Sequence, residues 1–153
     1  VRFLGSVRGV WLHWEAGRTW PCIVGTCTRC EAGVPARWCG YAPALLFRQD
    51  AASRKIEWVP VVVDLAEVVG QELLDKELRG VVAELSRPGR RRNGPMACVV
   101  HERTLEDPLP PTFAVEDVLY RMWGVRLPAP PVDGAADDEA SPRVIPFRRP
   151  RPA

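Results

Sequence analysis

Four side chains near the N-terminus have the chemistry and spacing of a metal site: His13, Cys22, Cys27 and Cys30. In Cys27-Thr-Arg-Cys30 two thiolates flank two residues, a knuckle that binds one ion at tetrahedral angles without strain. Cys22 follows Pro21, and Gly25 lets the short loop turn back. The imidazole of His13 would complete four donors. Cys39 is the rival fourth donor, but it lies inside Arg37-Trp-Cys-Gly-Tyr41, where it would alternate into a sheet face. His13 sits where a first strand ends and the loop begins, so the spacing favours it. Four protein ligands leave no open position for water or substrate, which makes the expected ion a structural Zn2+. A disulfide framework fits less well, because the five cysteines are an odd number and no signal-peptide pattern opens the chain. A redox Cys-x-x-Cys would need a thioredoxin-like unit, which the pattern lacks. Cys98 lies in an apolar run and reads as a buried small hydrophobe.

The second chemical feature is a mixture of rings and guanidinium groups. Phe3, Trp11, Trp14, Trp20, Trp38 and Tyr41 are interleaved with Arg2, Arg8, Arg18, Arg29 and Arg37. Flat rings stack on unpaired bases, and arginine both pairs with phosphate and stacks. The expected stacking set is Trp11, Trp38, Tyr41 and Trp58. The expected phosphate contacts are Arg8, Arg37, Arg87, Arg90, Arg91 and Arg92. Trp123 and one or two of the N-terminal rings are expected in the core. No Gly-x-Ser-x-Gly, phosphate loop or dinucleotide fingerprint occurs. His101, beside Glu102 and Arg103, reads as a surface residue, so a non-enzymatic role is expected.

These groups need a scaffold, and the pattern is mainly β. Val1 to Trp14 reads as a long bent strand or hairpin, with Gly5 and Gly9 at bulges or close contacts. Arg37 to Arg48 and Ile56 to Val63 are further strands. Asp64 opens a helix as N-cap, with Leu65, Val68, Val69 and Leu73 on one face. Val81 to Leu85 and Met96 to Val100 are strands around the loop Pro88 to Gly94. Thr112 to Trp123 is a second helix, stopped by Gly124. Five strands with a helix between the third and fourth is the layout of an OB-fold-like barrel, here with an inserted zinc loop and a C-terminal helix. A small α+β sheet with both helices on one face is the alternative.

With 153 residues and a net charge of +2, the chain suits one domain and excludes a histone-like polycation. The expected domain is 1–126. Residues 127–153 read as a disordered tail, because prolines, four acids and four arginines leave only Val144-Ile-Pro-Phe147 as an apolar island. No apolar run reaches the roughly 18 residues of a membrane helix, so a cytoplasmic location is expected. Of 21 basic residues only Lys55 and Lys76 are lysine, so basic recognition falls to arginine.

A strand ending in His13-Trp14, then Gly17-Arg-Thr-Trp-Pro-Cys22, Cys27-x2-Cys30 and Arg37-Trp-x-Gly-Tyr41 resembles a known family. It is similar to the zinc-containing OB-fold single-stranded DNA-binding proteins of T-even phages, and to relatives in bacterial mobile elements. The resemblance covers roughly residues 1–102. It implies a structural zinc held by His13, Cys22, Cys27 and Cys30 in a loop inserted into the barrel. It also implies sequence-independent binding of single-stranded nucleic acid, with DNA favoured over RNA. An accessory role in replication, recombination or transposition would follow, with partner proteins reached through the tail. The alternatives are a zinc-stabilised protein-interaction module in a larger nucleoprotein assembly, or a single-stranded RNA-binding protein.

Overall fold

The computed structural model describes residues 1–23, 25–49, 54–87, 95–101 and 108–128. The element order is β1 (Arg2–Phe3), β2 (Arg8–Glu15), β3 (Arg18–Pro21), α1 (Thr28–Glu31), β4 (Ala36–Gln49), β5 (Ile56–Ala66), α2 (Glu67–Leu73), β6 (Val82–Ser86), β7 (Ala97–His101) and α3 (Val115–Trp123). The protein is mainly β, and its described residues form one antiparallel sheet of seven strands. The sheet is not closed: β5 pairs with β4, β7 with β6, and no ladder joins β5 to β7 among the described residues.

The 14-residue β4 organises the sheet. One edge carries β5 along its length, from Cys39 opposite Ala66 to Gln49 opposite Ile56. The other edge carries two strands in succession: β2 pairs with residues 36 to 41, and β1 with Ala44 and Leu45. Pro43 sits in the gap between them, where its missing N–H costs no ladder bond, and its carbonyl accepts from Leu4 N at 2.8 Å. The expected first strand is thus split in two by the Leu4 to Val7 turn-off. β2 then continues into β3 through Ala16 and Gly17, both with positive φ. Two such residues in succession form the tight hairpin turn whose twist matches the flanking strands.

Strand alternation assigns the two faces. Gly9, Trp38, Gly40, Ala42, Ala44 and Leu65 point to one side, where α2 packs with Val69, Gly70 and Leu73. Val10, Leu12, Cys39 and Tyr41 point to the other, where Val115 and Leu119 of α3 cover them. Trp123 meets Tyr41 edge-on at 5.7 Å between ring centroids. Gly124, in the left-handed region at φ 69°, ends α3 as the pattern predicted.

Two expectations about α2 are corrected. Asp64 does not cap it: the residue is paired with Tyr41 in the β4–β5 ladder, and the helix begins at Glu67. Val68 is 77% exposed and not on the buried face. The cause is Leu65, fully buried as a strand residue, which removes it from the helical repeat and shifts the buried face to Val69, Gly70 and Leu73.

Trp38 holds the α2 face together. A Cβ placed on Gly70 would lie 2.4 Å from its ring, and one on Gly9 2.7 Å. The α2 backbone comes equally near the sheet, since a Cβ on Gly40 would stand 3.2 Å from the Gly70 Cα. Gly70→Ala should therefore destabilise the protein by about 1–3 kcal/mol through overpacking, even though alanine favours a helix. In a Trp38→Leu background the same change should cost far less. Denaturant unfolding of the double-mutant cycle measures this coupling; additive costs would refute it.

Candidate metal centre and aromatic surface

The β2–β3 hairpin and α1 bring the four sequence-predicted donors together. The ligand atoms of His13, Cys22, Cys27 and Cys30 all lie within 4.8 Å of one another. His13 Nε2 stands 3.3 Å from Cys27 Sγ and 3.5 Å from Cys30 Sγ, and the Cys22 and Cys30 sulfurs are 3.4 Å apart. Donors around one tetrahedral ion at a metal–sulfur distance of about 2.3 Å would be roughly 3.5–3.8 Å apart. The group can therefore hold a metal ion with little movement.

Local structure explains why the donors converge. Cys22 N donates to the carbonyl of Trp11 at 2.7 Å, which turns the chain back beside β2. α1 ends with Val34 N bonding to Arg29 O at 2.9 Å and Gly33 N to Cys30 O at 3.0 Å, with Gly33 at φ 73°. This is the helix-ending motif that needs glycine at its left-handed position. It also leaves the Val34 carbonyl 2.9 Å from His13 Nδ1. A carbonyl accepts only, so Nδ1 carries the proton and the Nε2 lone pair faces the sulfurs. Such an outer hydrogen bond sets both tautomer and ring direction for metal binding. His13 itself is fully buried, whereas Cys30 is exposed, so the cluster is anchored in the sheet and open on its loop side.

The thiols resist ionising together. For Cys22, burial and then the hydrogen bonds its S–H donates to Cys30 and Cys27 push the pKa up to about 12. For Cys27, burial works upward but is outweighed by the backbone N–H groups of Cys30 and Arg29, and the pKa falls to about 6. The Cys27 thiolate forms readily while Cys22 holds its proton, a conflict that a bound cation relieves. Arg29 braces the loop from outside: its Nε is 2.9 Å from Glu15 Oε2, and its guanidinium lies 4.2 Å from the Trp20 ring. Cys39 is not part of the group. It pairs with Val10, on the face opposite to His13, and is buried under α3.

The predicted nucleic-acid residues are dispersed. Trp38 and Tyr41 are core residues, 8% and 6% exposed, so their rings present no face to a base. Their prediction as stacking residues is corrected: Trp38 is enclosed by glycines and Tyr41 by α3. Arg8 is mostly buried, 3.8 Å from Glu116 and bonded to the carbonyl of Pro128. Arg2 is buried too. Trp11 is 45% exposed, Trp58 is half-buried, and Arg37 and Arg87 are exposed. Arg90, Arg91 and Arg92 lie outside the described residues, as does the tail from 129 onward.

Two exposed rings escaped the sequence reading. Trp14 is 60% exposed, on the same face as Arg37, which stands opposite Leu12. Phe47 is 50% exposed and meets its ladder partner Trp58 edge-on at 5.5 Å. Neither type nor spacing separates these rings from Trp38. Exposure follows from how far β2 and β4 run past the helices.

Comparison with family models, with curated proteins and with solved structures found no match to this chain.

Two outcomes follow from this geometry. Substituting His13, Cys22, Cys27 or Cys30 by alanine should abolish the metal content measured by elemental analysis, while Cys39→Ser should keep it in full. Equal loss in the Cys39 variant would overturn the ligand set. The second concerns Tyr41, whose phenol is raised above its ordinary value by burial, with Asp64 acting the same way. A raised pKa favours the protonated form in the folded state. Its contribution to stability is intact below the unfolded value of about 10 and is lost as pH rises beyond it. Denaturation midpoints should therefore drop as pH rises beyond about 10, and Tyr41→Phe should lessen the drop.

Proposed function

We propose that this protein is a non-catalytic, zinc-stabilised binder of single-stranded nucleic acid, with DNA favoured. The observation that carries the reading is that β2 presents an exposed tryptophan on each face, Trp11 on one and Trp14 on the other, beside the fully buried His13 of the candidate metal cluster. A metal that clamps the adjoining loop would hold both rings in place, and exposed rings on a rigid strand are what stacking on unpaired bases needs. Zinc suits three sulfurs and one imidazole better than magnesium or calcium, which take oxygen ligands. Four protein donors favour a structural role for the ion over a catalytic one.

Strand connectivity supports an OB-fold-like arrangement. β1 and β2 together act as one bent strand beside β4, β5 follows β4, and β6 and β7 continue from β1. A β5–β7 ladder would complete a barrel. The stacking surface, however, differs from the one inferred from sequence. Trp14, Phe47 and Trp58 on the α3 face, with Trp11 on the opposite face, replace the set that included Trp38 and Tyr41. Arg37, Arg87 and the Arg90 to Arg92 loop supply phosphate contacts. An accessory role in replication, recombination or transposition of a mobile element, with the tail recruiting partners, agrees with such binding.

Tryptophan fluorescence should quench on adding oligo-dT, and affinity should fall linearly on a log–log salt plot with a slope of about −0.7 per phosphate contacted. Trp11→Ala and Trp14→Ala should each weaken binding by about 1–3 kcal/mol. Side-by-side titration with single-stranded RNA and duplex DNA ranks the ligands. Salt-insensitive signal, or none at micromolar protein, would refute the proposal.

A further inference from the structure

One cleft belongs to neither the metal cluster nor the proposed stacking surface as a whole. It has a volume of about 760 Å³ and opens where β2 begins, between the end of α2 and the start of α3. Its walls are chiefly apolar and aromatic, with Trp11, Trp38, Phe113 and Leu74, and it carries the carboxylates of Asp75 and Glu116. Among the described residues Arg8 is the single basic group on its lining, and its guanidinium is already engaged by Glu116 and the Pro128 carbonyl. Two carboxylates against one occupied guanidinium repel a phosphate backbone. They suit a cation that also offers flat apolar surface.

This chain contains such a segment. Arg148-Arg-Pro-Arg-Pro152 combines three guanidinium groups with two proline rings. Proline-rich strands dock in aromatic-lined grooves with little ordering cost, and arginine packs on ring faces while pairing with carboxylates. The described chain ends at Pro128, which Arg8 tethers to the cleft rim. The roughly 20 residues from there to Arg148 span on the order of 25 Å as a flexible chain, so the segment meets the cleft at millimolar effective concentration. The other tail segments fit worse: Asp137-Asp-Glu139 meets like charge, and Val144-Ile-Pro-Phe147 brings no cation to Asp75 or to the second side of Glu116.

We infer that the cleft between α2 and α3 is the docking site for this chain's own Arg148–Pro152 segment, with prolines against Trp11 and Phe113 and arginines on Asp75 and Glu116. The inference goes beyond the nucleic-acid reading, and its test contains no nucleic acid. In the full-length protein the indole N–H resonance of Trp11 is assigned by its loss in Trp11→Phe. Reversing the tail charges (Arg148→Glu, Arg149→Glu and Arg151→Glu together) should shift that resonance. Asp75→Arg alone should shift it too, and combining the two should return it toward the wild-type position. The remaining tryptophan resonances report that the fold is intact. An unmoved Trp11 signal in the charge-reversed tail would overturn the inference. So would a shift produced only by Val144→Asp with Phe147→Asp, which would make the apolar island the occupant. A wild-type signal that moves to the charge-reversed position on dilution would overturn the intrachain form in favour of a second copy.

Discussion

The Trp38 ring lies against three glycines, Gly9, Gly40 and Gly70, from three different elements. Any Cβ at Gly9 or Gly70 would enter the ring's own volume. That contact sets how closely α2 approaches the sheet and how β2 lies beside β4. Much else depends on it. The pairing of β2 with β4 continues from Gly9 through Trp11 opposite Trp38 to His13 opposite Ala36. The ring that seals the core therefore also sets the strand that carries the metal-site histidine. Its outer edge forms part of the cleft wall, so core and surface share one side chain.

The half that carries the candidate metal cluster shows a different kind of order. β3 and α1 have four residues each, too short to be stable alone. They are held by the tight turn at Ala16 and Gly17, the Arg29 bridge to Glu15 and Trp20, and the cluster of four donors. Only His13 comes from the main sheet. One buried imidazole, oriented by the Val34 carbonyl, thus connects a loop of marginal stability to a packed core. An ion in that cluster would tie its loop to the strand that presents Trp11 and Trp14.

Charge is sorted in the same way. The net charge of +2 hides separate neighbourhoods. Exposed arginine accompanies exposed rings along β2 and β4, while carboxylates from the end of α2 and the start of α3 gather at the cleft. α3 covers Val10, Leu12 and Tyr41 with Val115, Leu119 and Trp123. The sheet face that a groove reading would have left open is therefore closed at its centre and available only beyond the helix, at Trp14 and at the Phe47–Trp58 pair. Under the proposed function, such an arrangement makes contacts with nucleic acid local and sensitive to salt.

The sequence by itself determined the mainly β class, the end of α3 at Gly124 and the donor types of the metal site. Those features are local. Strand alternation, a glycine stop and a Cys-x-x-Cys knuckle act over a few residues, where composition and spacing speak directly. The exclusion of Cys39 in favour of His13 was decided only by the ladder register, which puts the two on opposite faces of one sheet. The start of α2 was misread because Leu65 satisfies a helical repeat and a strand alternation equally well, and pairing with Gly40 decides between them. The tryptophans were the least legible. Trp38 and Trp11 stand side by side in the same ladder, yet one is buried and the other 45% exposed. Nothing in their own residue type distinguishes them; Gly9 and Gly70, both distant in sequence, join Gly40 to make room for one ring and not for the other. Burial is a property of what the rest of the chain places nearby, and that exists only once the chain has folded.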